Sequence, residues 1–201
     1  MIVIIDYGLG NLASIKNMFK RIGNKDVVIS SEKDVIAKAD KIILPGVGSF
    51  DNGMIHLKKY DLIETLSRKA LEEKVPLLGI CLGMQLMTKG SEEGKLPGLG
   101  WFDANVIKFE PSPTLKIPHM GWNYVTPKIK NEFIDSKDNY RFYFVHSYHV
   151  KCNNENDVLF ASHYGKIFHA AIRKDNLIGM QFHPEKSLRF GMKIFEVFTK
   201  M

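Results

Sequence analysis

A chain of 201 residues can bury one sizeable core and falls in the range of a single α/β domain, so one domain spanning 1–201 is expected. Hydrophobic residues make up 45% and charged residues 25%, which excludes disordered and collagen-like classes; the longest apolar runs, Ile2–Ile5 and Val75–Ile80, are far too short to span a bilayer. The net charge of +6, from 28 Lys and Arg against 22 Asp and Glu, is scattered instead of gathered into a run. With no recognition module and nothing resembling a signal peptide, the expectation is a cytoplasmic protein with neither a nucleic-acid nor a membrane partner.

The first half alternates short β-rich apolar runs with helical patterns, which predicts βαβ units and a parallel sheet buried on both faces. Ile2–Ile5 is the first strand. The loop Asp6-Tyr7-Gly8-Leu9-Gly10-Asn11 follows, and then Leu12, Ile15, Met18, Phe19 and Ile22 fall at helical spacing. Asp26–Ile29 reads as a second strand, Lys33–Ala39 as a short helix and Ile42–Leu44 as a third strand. Leu62–Glu73 has a helical pattern, Pro76–Ile80 is a fourth strand, and Leu82–Lys89 is a helix starting abruptly at that strand's end.

From about Gly94 the texture changes. Glycine and proline become dense (Gly94, Pro97, Gly98, Gly100, Pro111, Pro113, Pro118) and long helical patterns no longer separate the strands. Antiparallel strands are predicted at Asn105–Phe109, Asn123–Thr126, Tyr140–Val145, Val158–His163, Phe168–Arg173 and Leu177–Gln181. A last helix from about Ser187 to Lys200 puts Phe190, Ile194, Val197 and Phe198 on one face. The fold class expected is therefore α/β, a doubly wound, mostly parallel sheet with a β-rich antiparallel second half. Ligands should bind beyond the carboxyl ends of the parallel strands.

Two cysteines, Cys81 and Cys152, are too few for a disulfide scaffold in such a chain, which leaves room for a chemical thiol. Cys81 sits in Gly79-Ile80-Cys81-Leu82-Gly83, between an apolar strand and a helix, the pattern of a nucleophile elbow with a thiol in place of a hydroxyl. The sharp turn needs small neighbours, which Gly79 and Gly83 supply, and the helix start at Leu82 offers unpaired N–H groups that favour a thiolate. A buried cysteine between packing glycines would read the same way. A thiolate that attacks a carbonyl needs a proton donor for the leaving amine and a group that orients the donor. His183-Pro184-Glu185 supplies both, because Pro184 favours an extended His183 and residues two apart in an extended chain face one side. By itself it would equally suit a surface turn before a helix.

Pro45-Gly46-Val47-Gly48 ends a buried strand on the same sheet edge, and its backbone N–H groups at Val47 and Gly48, with that of Leu82, are candidates for an oxyanion hole. It lacks the spacing of a phosphate loop, as does Gly8-Leu9-Gly10, so neither is read as a nucleotide site. The spacings of His149, His163 and His169 form no convincing metal site, and Cys152, in a polar stretch without an elbow, reads as a bystander.

Together these segments, in this order and across essentially the whole chain, resemble the class I, triad-type glutamine amidotransferases. Asp6–Leu12, Pro118-His119-Met120-Gly121-Trp122-Asn123, Tyr143–Tyr148 and His183–Ser187 are similar to the glutaminase subunits of imidazole glycerol phosphate synthases. The elbow is also similar to the glutaminase domain of CTP synthase, but a free-standing chain beginning at its first strand fits the former group better. The resemblance implies hydrolysis of L-glutamine to glutamate and ammonia, with Cys81 as nucleophile, His183 as general acid/base and Glu185 as its orienting partner. It implies substrate binding by Gly46, Gly48, Leu82, Gln85, Glu93, Ser147 and Tyr148, with Glu93 or its neighbour meeting the α-amino group. It also implies no metal or organic cofactor, and a heterodimer with a (β/α)8-barrel cyclase that consumes the ammonia in histidine biosynthesis. Met120 and Trp122 are candidates for the partner face, and a buried tryptophan is an equal reading. Lys186–Lys193 also resembles paralogues that feed sugar amidation in surface-glycan pathways. A free-standing cysteine hydrolase of γ-glutamyl compounds and a catalytically silent scaffold subunit are further alternatives.

Overall fold

Alternation along the short strands sorts their apolar residues onto two faces of one sheet in the computed structural model, which describes residues 1–110, 115–134 and 139–201. The expected loop prolines Pro111 and Pro113 lie outside the described residues. In chain order the elements of the first half are β1 (Ile2–Ile5), α1 (Leu12–Arg21), β2 (Val27–Ser30), α2 (Lys33–Ala37), β3 (Lys41–Leu44), α3 (Phe50–Lys59), α4 (Ile63–Ser67), β4 (Leu77–Ile80) and α5 (Leu82–Leu86). The second half holds β5 (Ala104–Lys108), β6 (His119–Tyr124), β7 (Thr126–Pro127), β8 (Arg141–His146), β9 (Tyr148–Cys152), β10 (Val158–Tyr164), β11 (Lys166–Lys174), β12 (Leu177–Met180) and α6 (Leu188–Lys200).

Among the described residues, the main sheet runs β2-β1-β3-β4-β12-β11-β10-β7, with β9 added to β11 and β5 to β9. The pairs from β2 to β12 are parallel and those beyond β12 antiparallel, so the expected class is borne out. A separate antiparallel pair, β6 with β8, lies off this sheet. On one face Ile2, Ile4, Ile43, Leu78 and Ile80 pack with α1 and α6 through Ile15, Phe19, Ile194 and Phe195. On the other, Val3, Ile5, Ile42 and Leu44 pack with α2, α3 and α5 through Ile36, Phe50, Leu57 and Leu86. Each such side chain contributes about 1.5–3 kcal/mol by leaving water. No helix among the described residues is long and apolar enough to cross a membrane.

Several boundaries differ from expectation for local reasons. The Leu62–Glu73 helix is α4 followed by a π turn over Arg68–Glu72, and α5 stops at Leu86 because the chain turns back there, with the N–H of Leu99 donating to the Leu86 carbonyl at 2.8 Å. The strand expected at Asn123–Thr126 begins instead at His119, and β9 was not expected at all. α3 was also unexpected. Its Phe50, Met54 and Leu57 do follow helical spacing, but Gly53, a poor helix former, interrupts them. A Cβ on Gly53 would lie 2.9 Å from the Leu86 side chain, so the glycine serves the close approach of α3 and α5.

Candidate active site

The turn after β4 forces Cys81 to φ 53° and ψ −109°, a region that residues other than glycine rarely occupy. Such a conformation costs on the order of 1–3 kcal/mol and survives because its surroundings fix it. The Cys81 N–H donates to the Met180 carbonyl at 2.7 Å, and the Cys81 carbonyl accepts from the Gln85 N–H at 3.2 Å. Both flanking glycines are required for space. A Cβ on Gly79 would lie 2.5 Å from Met87 Sδ, and one on Gly83 only 1.8 Å from the Leu44 carbonyl oxygen. The elbow reading of this segment therefore matches the structure. The expected helix contribution is smaller than a long helix would give, because α5 has only five residues, and no N–H of its first turn donates to the Cys81 side chain.

β12 lies beside β4 in parallel, and the chain beyond it delivers His183 and Glu185 to the elbow. His183 is extended, at φ −101° and ψ 96°, as its following proline favours. Glu185, however, sits in a 3-10 turn over Pro184–Lys186, so the two side chains meet by the turn and not by continued extension. His183 Nδ1 pairs with Glu185 Oε1 at 2.8 Å, with both side chains only 2% exposed. The His183 N–H donates to the Tyr143 carbonyl, and the buried Ser187 hydroxyl donates to the His183 carbonyl at 2.6 Å while accepting from the Tyr143 N–H at 3.0 Å. Ser187 thus pins the turn, a role that its place after Lys186 did not suggest.

Burial alone would lower the pKa of the His183 imidazole, but the Cys81 sulfur and the Glu185 carboxylate together outweigh it and raise it to about 10. Nε2 makes no hydrogen bond among the described residues, although the sulfur lies near enough to act on the ring. A thiol beside an imidazole that favours its protonated form can attack a carbonyl and return a proton to the departing amine.

These groups open on a cleft of about 330 Å³ that Cys81, Leu82 and His183 line with Val47 and Gly48. All three residues expected to form the oxyanion hole are therefore at the cleft, Gly48 with φ at 109°. Gln85, Glu93, Ser147 and Tyr148 line it too, with Pro118, Val145 and His146. Gly46 does not line it. A Cβ there would lie 2.5 Å from the Tyr7 hydroxyl and 2.9 Å from the Leu82 Cβ, so its missing side chain serves packing. The Tyr7 hydroxyl itself donates to the Pro45 carbonyl at 2.6 Å, which ties the first loop to the strand end before Val47.

Two of the expected substrate ligands are already engaged. One carboxylate oxygen of Glu93 accepts from the Phe50 N–H at 2.8 Å at the start of α3, and the Gln85 amide donates to Gln181 and to the Tyr148 carbonyl. Beside them His146 donates from Nδ1 to the Tyr148 carbonyl and receives His119 at Nε2, at 2.7 and 3.0 Å. Burial pushes the pKa of His146 down to about 3 and those of His119 and His149 to about 4. No group of three or more metal-ligating side chains converges among the described residues. Cys152 is buried and unpaired with Cys81, and burial with nearby carboxylates raises its thiol pKa to about 12. Met120 and Trp122 are 62% and 43% exposed on β6, so the tryptophan is not a core residue.

A family model described as glutamine amidotransferase class-I matches residues 3–201. The chain is 55% identical to "Imidazole glycerol phosphate synthase subunit HisH 2" of Methanococcus maripaludis, over 100% of this chain and 99% of that one. It is 46% identical to the subunit of the same name from Pseudomonas aeruginosa, over 100% of both chains. Among solved structures, a glutamine amidotransferase superposes with a TM-score of 0.76 at 19% identity, covering 100% and 98% of the two chains. PurLQS from Thermotoga maritima gives 0.73 at 17% identity, covering 99% and 97%. At such identities the structural likeness is one of fold.

Proposed function

Because the chain belongs to the class I glutamine amidotransferase family, we propose that it is the glutaminase subunit of an imidazole glycerol phosphate synthase, releasing ammonia from L-glutamine in histidine biosynthesis. The observation that carries the reading to particular residues is the meeting of Cys81 and His183 at one cleft from opposite halves of the chain, with Glu185 paired to the His183 ring. In it, the Cys81 thiolate attacks the side-chain amide carbon of glutamine. Backbone N–H groups of Val47, Gly48 and Leu82 hold the oxyanion, and His183, oriented by Glu185, protonates the nitrogen as the C–N bond breaks. Water activated by His183 then cleaves the thioester to glutamate and restores the thiol. Gln85, Glu93, Ser147 and Tyr148 surround the substrate in this reading, and Gly46 supports it through the packing of its loop.

The relatives are named as one subunit of a synthase, which supports a cyclase subunit as partner. A (β/α)8 barrel paired as a heterodimer, with Met120 and Trp122 at its face, completes the proposal. The test is glutamate release by wild type and Cys81→Ala, each with and without the cyclase and its ribonucleotide. Release that requires Cys81 and rises sharply with the cyclase supports the reading. Vigorous release by the chain alone points to an independent hydrolase, whereas inactivity with this cyclase redirects the ammonia to another acceptor such as a sugar-amidating enzyme.

A further inference from the structure

β12 and β4 run in parallel register with Met180 opposite Ile80. The next residue on each, Gln181 and Cys81, therefore come side by side although 100 positions separate them. Gln181 is fully buried. Its Nε2 lies 3.7 Å from Cys81 Sγ, and its Oε1 accepts from Gln85 Nε2 at 3.0 Å. Nothing in the proposed mechanism uses it.

A buried amide turned over would present an oxygen to the sulfur instead of an N–H, so its polarity decides its effect. The backbone settles that polarity. The Tyr148 carbonyl can only accept, and it lies 3.3 Å from the Gln85 amide, so Gln85 must turn its NH2 group that way. The same NH2 group faces Gln181, which must meet it with oxygen, and the Gln181 N–H groups are left for the sulfur. The chain of constraint runs from a main-chain carbonyl through two side-chain amides to Cys81.

We infer that Gln181 is a further catalytic group, a neutral donor that stabilises the ionised Cys81 sulfur and fixes its place, with Gln85 as the positioning residue that sets its polarity. A thiol is a weak acceptor and a thiolate a strong one, so an N–H aimed at the sulfur favours the ionised form. Gln181 adds no net charge, and so steadies the thiolate without competing with His183 for the Glu185 carboxylate. The inference rests on Cys81 being the nucleophile.

The experiment follows the rate at which iodoacetamide alkylates Cys81 across a pH series, read by mass spectrometry of its peptide, in wild type, Gln181→Met and Gln85→Met. The alkylation midpoint should move upward by about one pH unit in Gln181→Met, and by less in Gln85→Met, where the donor remains but is no longer held. Glutamate release by Gln181→Met should lose about tenfold in kcat with KM for glutamine little changed, since a smaller share of Cys81 is then ionised and ready to attack. Profiles that superpose on wild type in folded variants overturn the inference. If Gln181→Met does not fold, the Gln85→Met profile decides in the same two directions. Cys81→Ala keeps the underlying reading separate: glutamate release surviving in that variant defeats the nucleophile assignment, while a shifted alkylation profile would still stand as a property of the Gln181–sulfur contact.

Discussion

Replacing Glu185 by glutamine preserves the size of the side chain but removes the charge that favours a protonated His183. In the proposed mechanism that charge is needed when the imidazole carries the thiol's proton, so kcat should fall by about 10²–10⁴ with KM near wild type. Steady-state glutamate release with the partner present measures this, and a loss of less than twofold would remove Glu185 from the mechanism. At this scale the sequence was most informative where small residues and short motifs constrain geometry. Cys81 between Gly79 and Gly83, and His183 before Pro184, can be read directly. Gln181 and Ser187 cannot, because their value comes from partners 100 and 44 positions away.

The elbow works only if α5 can lie against the end of β3. A methyl group at Gly83 would sit 1.8 Å from the Leu44 carbonyl oxygen, and backbone on both sides leaves no flexible atom to yield. Gly83→Ala should therefore cost about 1–3 kcal/mol or more, whereas Gly90→Ala, with open space at its Cβ, should stay within about 0.5 kcal/mol. Urea unfolding of the two variants tests the contrast, and equal midpoints would mean that the β3–α5 contact relaxes at no cost. The parallel strands were legible because their apolar runs are continuous and buried on both faces. α3 was not, since Gly53 and Asn52 weaken its local helical signal and its stability comes from packing on Leu86. β9 escaped notice for a similar reason: Lys151 and Cys152 give no apolar alternation, and the strand is held by its ladder with β5.

For the whole molecule, buried imidazoles shape the pH dependence of stability. His119, His146 and His149 resist protonation in the fold, with pKa values near 4, 3 and 4, but titrate near 6.5 once unfolded. Below about pH 6.5 the unfolded chain takes up protons that the fold refuses, so stability present above that pH is lost progressively as pH falls toward 4. His183 has the opposite sign. Its raised pKa contributes stability below about pH 6.5 that disappears as pH rises through about 10. Thermal midpoints should therefore peak near neutrality and decline on both sides. His149→Phe should flatten the acid limb, because the His149 ring already packs against Phe109 and Phe168 and its Nε2 has no hydrogen-bond partner among the described residues. An acid limb as steep as wild type in that variant would assign the loss to other groups. The central place of β12 bears finally on how the protein is made. This strand joins the parallel and antiparallel halves of the sheet, yet ribosomes add it after all the other strands described, and Gln181, His183 and Glu185 follow it. In the proposed mechanism, a nascent chain that stops before Leu177 has its thiol but neither the donor nor the base, so the order of synthesis would withhold glutamine hydrolysis until the two halves have been joined.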